Sequence, residues 1–167
     1  MKKFLLIACM ALLGVCSVSA QENKEYKRAI GISAGYVTSV NGPMLSAKFV
    51  WNLKKKFRIE PTVNCIFGKD LTAYNGALNF KYMFPIKGFR VYPVIGVGLG
   101  QIEPKEEYKV QKLVEGGGEF FTNFGAGIEY DYKERWILNA EISEVAGGGL
   151  DGDCNGVSIM IGAAYKF

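Results

Sequence analysis

From Arg28 to the last residue, Phe167, apolar side chains recur at every second position, through eight stretches set apart by turn-like segments. The stretches run near Arg28–Val40, Pro43–Leu53, Lys56–Gly68, Ala73–Phe84, Phe89–Ile102, Glu119–Tyr132, Glu134–Val145 and Asn155–Phe167. A period of two is the mark of a β-strand whose two faces meet different surroundings. One parity reads Ile30, Ile32, Ala34, Tyr36 in the first stretch and Val157, Ile159, Ile161, Ala163, Tyr165, Phe167 in the last. Away from the stretch ends this parity carries no charge, whereas a chain that is 22% charged would place about eight charges there by chance. No helical pattern and no sequence repeat beyond this hairpin rhythm competes with an all-β fold.

The other parity decides how the strands are used. It carries Lys48, Arg58, Glu60, Lys81, Glu129, Arg135, Glu141 and Lys166 among many small residues, Gly96, Gly98, Gly100, Gly125 and Gly127 included. In a soluble lipocalin-like barrel this would be the solvated face, where glycines weaken a strand and return nothing. In an eight-stranded transmembrane barrel it is the narrow lumen, which accepts small residues and paired charges, while the apolar parity meets lipid. The expected fold is therefore an eight-stranded antiparallel up-and-down transmembrane β-barrel, with the soluble carrier as the lesser alternative.

Connection lengths agree. Lys54-Lys55, Pro85 to Gly88 and Lys133-Glu134 are short, and they alternate with Ser39 to Pro43, Lys69 to Tyr74, Glu103 to Gly118 and Ala146 to Cys154. Membrane barrels place short turns on the periplasmic side and longer loops outside. Trp51, Phe57, Phe84, Phe89, Tyr130 and Trp136 flank the short turns, and Tyr165 with Phe167 completes a periplasmic aromatic girdle. With its alternating last strand ending AYKF, the chain resembles small outer-membrane β-barrels of the OmpA/OmpX-like porin family. The resemblance lies in pattern rather than in a catalytic motif. It implies residence in the outer membrane of a two-membrane bacterium, outer-membrane lipid as a partner, and recognition of the strand ending at Phe167 by the barrel-insertion machinery.

The N-terminus supplies the route. Residues 1–20, with Lys2 and Lys3 before an uncharged run and Val18-Ser19-Ala20 at its end, read as a secretory signal peptide, leaving 21–167 as the barrel domain. A retained anchor would be short for a spanning helix, and lipid attachment at Cys9 or Cys16 fits the flanking residues poorly. Without the two leader lysines, the 20 basic and 16 acidic residues leave a net +2, which argues against a nucleic-acid partner. Cys65 and Cys154 are the cysteines that remain, and the expectation is two free thiols on strands that are not neighbours.

Candidate chemistry is sparse. The chain holds no histidine, which removes Ser-His-Asp and Cys-His nucleophile activation, and the expectation is that it is not an enzyme. No cofactor and no metal site is expected. Asp151-Gly152-Asp153-Cys154-Asn155-Gly156 matches the first half of a calcium loop, but Gly162 stands where the last carboxylate belongs. The lumen charges Lys48, Arg58, Glu60, Lys81, Glu129, Arg135 and Glu141 are the candidate site, read first as a network that satisfies the lumen and second as a gate. The expected pairing takes Lys48, Arg58 and Lys81 to Glu60, and Arg135 to Glu129 and Glu141. The functional expectation is a structural or envelope role with a narrow gated pore, and the alternative is adhesion through the loop from Glu103 to Gly118, whose surface partner the sequence does not name.

Overall fold

The computed structural model describes residues 27–69, 71–104, 118–149, 152–153 and 155–167. The expected signal peptide, most of the 103–118 loop, Cys154 and most of the calcium-like stretch lie outside the described residues. The alternating stretches become β1 (Arg28–Val37), β2 (Gly42–Asn52), β3 (Phe57–Phe67), β4 (Leu71–Tyr82), β5 (Phe89–Pro104), β6 (Gly118–Tyr132), β7 (Trp136–Gly149) and β8 (Gly156–Lys166). Each pairs antiparallel with the next, and β8 pairs with β1, which closes the barrel. Two short pieces lie on its ends: Phe84–Ile86 against the start of β5, and Gly152–Asp153 against the end of β7.

The turns follow from local chemistry. Between Ile86 and Phe89, Lys87 (φ 35°) and Gly88 (φ 90°) are both left-handed, the geometry that matches a two-residue turn to strand twist. A side chain at Gly88 would meet open space, so glycine is needed there for its backbone angle alone. The first short turn is closed by Leu53 N donating to Phe57 O at 2.9 Å and Phe57 N to Lys54 O at 3.2 Å. β1 stops at Val37, short of the expected Val40, because Asn41 N bonds back to Thr38 O at 3.3 Å and Asn41 turns left-handed (φ 46°). β7 outruns its expected end at Val145, because Gly147 and Gly148 keep pairing with Phe121 and Phe120.

Register sets the shape. A path across the strands from Arg28 meets Trp51, Ile59, Phe80, Ile95, Phe124, Glu144 and Val157, and returns to β1 at Thr38, ten residues further on. Such a stagger on eight strands requires them to tilt about 35–45° from the barrel axis and leaves an interior only wide enough for side chains. The faces are inverted relative to a soluble protein. Ile32 is 72% exposed and Ile161 67%, while Lys81 is 3% exposed and Glu129 2%. The soluble-carrier alternative fails on this point, since it would put these isoleucines in water and these charges in the core. The lumen glycines make room for bulk: a Cβ at Gly127 would lie 2.4 Å from the Tyr92 ring, and one at Gly98 would lie 2.4 Å from Phe121.

Candidate functional site: a charge network across the lumen

The end of the lumen nearest the short turns is plugged by alternating charges. Arg58 on β3 forks onto Glu129 on β6, with Nη1–Oε2 at 2.6 Å and Nη2–Oε1 at 2.9 Å. The two strands are three places apart round the barrel, so this bidentate pair crosses the lumen. Arg58 Nε donates to Asn52 at 2.9 Å, and Arg90 Nε also donates to Glu129. Arg90 then forks onto Asp131 at 2.8 and 2.7 Å, and Lys166 reaches Asp131 at 2.6 Å. Cation and anion thus alternate from Arg58 to Lys166 without a gap.

A second layer lies above it. Lys81 on β4 stands between Glu60 on β3, at 2.6 Å, and Glu141 on β7, at 2.7 Å. Tyr92 donates its hydroxyl to Glu141 at 3.1 Å, and its ring centre lies 4.7 Å from the Lys81 ammonium. Lys48 on β2 crosses to Asn139 on β7 at 2.9 Å. Glu60, Glu129, Glu141, Lys48 and Lys81 are buried, Asp131 and Lys166 are half-buried, and each has its opposite charge or an amide in contact, as burial demands.

Neutral polar groups take over further up. Asn123 donates to Asn79 at 2.9 Å, Asn79 to Thr62 at 3.2 Å, and Asn64 to Asn75 at 2.6 Å, while Ser143 and Ser158 share a bond of 2.7 Å. This belt encloses a cavity of about 130 Å³ with Lys48, Glu60 and Glu141 at its charged end. On the β1–β4 side an apolar collar of Val37, Met44, Ile66 and Ala73 rises beyond it.

Of the charges expected from sequence, Lys48, Arg58, Glu60, Lys81, Glu129 and Glu141 all enter the lumen. Arg135 does not: it sits exposed in the turn before β7 and donates to the Tyr165 hydroxyl at 2.8 Å. The partners differ as well. Arg58 takes Glu129 instead of Glu60, Lys48 takes an amide, and Glu129 and Glu141 are held by Arg58 and Lys81 instead of Arg135. Arg90, Tyr92, Asp131 and Asn139 are members that sequence reading missed. Their signal was register, since Arg90 lies opposite Glu129 across the β5–β6 ladder.

The aromatic residues gather at the short-turn end. Trp51, Phe57, Phe89, Tyr130, Trp136 and Phe167 are exposed, and Phe84 and Tyr165 are half-buried. Phe89 packs on Tyr130 at 5.0 Å and Trp136 on Tyr165 at 5.3 Å, and Tyr82 joins the belt between Phe57 and Phe84. The Phe167 ring lies 6.4 Å from Phe49. Cys65 is a free thiol on the outward face of β3, which is not a neighbour of β8.

A closed antiparallel barrel with lipid-compatible side chains outside and satisfied charges inside is a transmembrane β-barrel. The chain belongs to the outer membrane protein beta-barrel domain family, whose model matches residues 8–167. Among solved structures it is similar to Neisserial surface protein A, NspA, at 12% identity and a TM-score of 0.65, over 84% of this chain and 96% of that one. It is similar to OprG from Pseudomonas aeruginosa at 14% identity and 0.61, over 89% and 99%. Ail, the attachment invasion locus protein of Yersinia pestis, is similar at 16% identity and 0.53, over 84% and 96%. At these identities the likeness is one of fold. No curated protein sequence matches the chain. The protein is an outer-membrane β-barrel.

Proposed function

We propose that this protein is a non-enzymatic envelope barrel whose narrow lumen is held shut by its ion pairs and opens as a small water or ion path when they rearrange. The observation that carries the reading is Lys81, clamped between Glu60 and Glu141 where the cavity ends, with the Arg58–Glu129 pair beneath it. A lumen filled only for stability could use neutral residues, whereas a charge with two carboxylate partners can release one and keep the other. With no histidine in the chain, Ser-His-Asp and Cys-His activation of a nucleophile is not available to it. Residues 1–20 serve as the export leader, and β8 together with the Phe167 that follows it is the segment read by the insertion machinery.

The test is single-channel recording in planar bilayers. Glu60→Ala and Glu129→Ala each change the conductance or open time relative to the parent. Traces unchanged in both variants would refute the gate and leave the network a structural one. A second reading, surface adhesion, draws on the unequal wall: β5 and β6 reach Pro104 and Gly118, so that side of the barrel carries the longest hairpin. Deleting Glu103 to Gly118 then abolishes cell-surface binding without altering conductance.

A further inference from the structure

We propose that the rim of the barrel at its short-turn end binds the headgroups of anionic phospholipids in the leaflet it borders. Lys54, Lys55 and Lys56 fill the first short turn, Lys87 sits in the second, and Lys133 and Arg135 frame the third, where Glu134 is the single carboxylate of all three turns. Lys27 and Arg28, both exposed, bring two more cations to the same rim. The four longer connections at the other end have a combined charge of −3 in sequence. The positive charge is therefore set at one end of the molecule and not spread over its surface.

Height turns this excess into a lipid site. Lys56 Nζ lies 5.9 Å from the centre of the Tyr82 ring, Lys133 Nζ lies 5.2 Å from that of Tyr132, and Arg135 donates to the Tyr165 hydroxyl at 2.8 Å. Tyr82 and Tyr165 belong to the aromatic belt, and Tyr132, exposed and opposite Trp136 in the β6–β7 ladder, extends it; in a membrane barrel such a belt lies at the boundary between lipid and water. Lys56, Lys133 and Arg135 are thus held at the depth of the phosphate layer, where a soluble polyanion would meet the membrane first. Each basic side chain at an anionic surface is worth about a fivefold local enrichment, an attraction that zwitterionic headgroups do not supply.

Trp51 and Trp136 are the only tryptophans of the chain; both lie in this belt, 46% and 45% exposed. They make the test direct. The barrel is refolded into phosphatidylcholine vesicles containing a minor fraction of brominated lipid, either brominated phosphatidylglycerol or brominated phosphatidylcholine, and tryptophan quenching is compared. Quenching by the anionic lipid corresponds to about fivefold enrichment over bulk. It falls to the phosphatidylcholine level in about 0.5 M NaCl, where screening shortens to about 4 Å. The chain with Lys54→Gln, Lys55→Gln, Lys56→Gln, Lys87→Gln and Lys133→Gln loses the preference. Equal quenching by the two lipids in the parent overturns the proposal, and so does a preference that survives in the five-lysine variant. Loss of the preference on adding inorganic phosphate at constant ionic strength would assign the rim to a free oxyanion and overturn the lipid assignment.

Discussion

Replacing Lys81 by Met is the sharpest probe of the lumen, because one substitution strips the cation from two carboxylates. Lys81 is 3% exposed, and it bonds Glu60 at 2.6 Å and Glu141 at 2.7 Å. Methionine fills nearly the same volume, so packing is kept and the loss is electrostatic. Removing one partner of a buried pair costs about 3–5 kcal/mol. Both carboxylates line a cavity with room to hydrate them, which offsets part of this, so a value near the lower end, about 3 kcal/mol, is expected. The two carboxylates do not suffer equally. Glu141 keeps the Tyr92 hydroxyl at 3.1 Å, whereas Glu60 keeps no other hydrogen bond among the described residues. Adding Glu60→Gln to Lys81→Met therefore restores more stability than adding Glu141→Gln, and the triple variant recovers most of the loss. The assay is equilibrium urea unfolding in lipid vesicles, read by the fluorescence of Trp51 and Trp136. A loss under about 1 kcal/mol, or a triple variant no better than the single one, would refute the account of a buried charge left uncompensated.

Arg58→Lys keeps the charge but gives up the fork onto both oxygens of Glu129, and should cost about 1.5–3 kcal/mol in the same unfolding assay. Gly127→Ala drives a methyl to within 2.4 Å of the Tyr92 ring, costs about 1–3 kcal/mol, and is relieved when Tyr92→Leu is added. Lys48 lines the cavity and bonds an amide rather than a carboxylate, so removing its charge by Lys48→Gln shifts the reversal potential of a conducting barrel in a KCl gradient toward cation preference. An unshifted potential would remove Lys48 from the path.

Much of this barrel was legible because strand parity is a local property. Ile32 follows Gly31 and precedes Ser33, and nothing distant is needed to assign them to opposite faces. The lipid belt, the strand count and the end of the barrel that holds the short turns follow from it. Partners across the lumen were not legible, since whether Arg58 reaches Glu60 or Glu129 depends on the stagger accumulated over the intervening strands. Arg135 shows the limit of parity itself. Counted back from Ile137 it belongs to the lumen, but Lys133 is left-handed (φ 57°) and the ladder begins only at Trp136, so the count has no meaning before it. The end of β7 was hidden for another reason: Gly147 to Gly149 read as a loop by composition, yet their backbone groups remain paired across the ladders.

The two faces also divide the task of specifying one structure. Lipid tails accept any apolar side chain at any depth, so Ile32, Leu99 and Ile161 hold the barrel in the membrane without choosing a register. A slip of two residues between neighbouring strands would keep every apolar residue outside, and the lipid face would barely register it. The lumen would. Moving β6 by two residues against β5 takes Glu129 from opposite Arg90, and in one of the two directions it sets Glu129 in place of Gly127 opposite Tyr92, whose ring then meets a side chain where it had none. Moving β4 by two residues against β3 takes Asn79 from opposite Glu60 and, in one of the two directions, separates Lys81 from Glu60. Height in the bilayer is set by the aromatic belt and register by the buried charges and the glycines that make room beside them. The network is therefore bound to persist whether or not the path it closes ever opens.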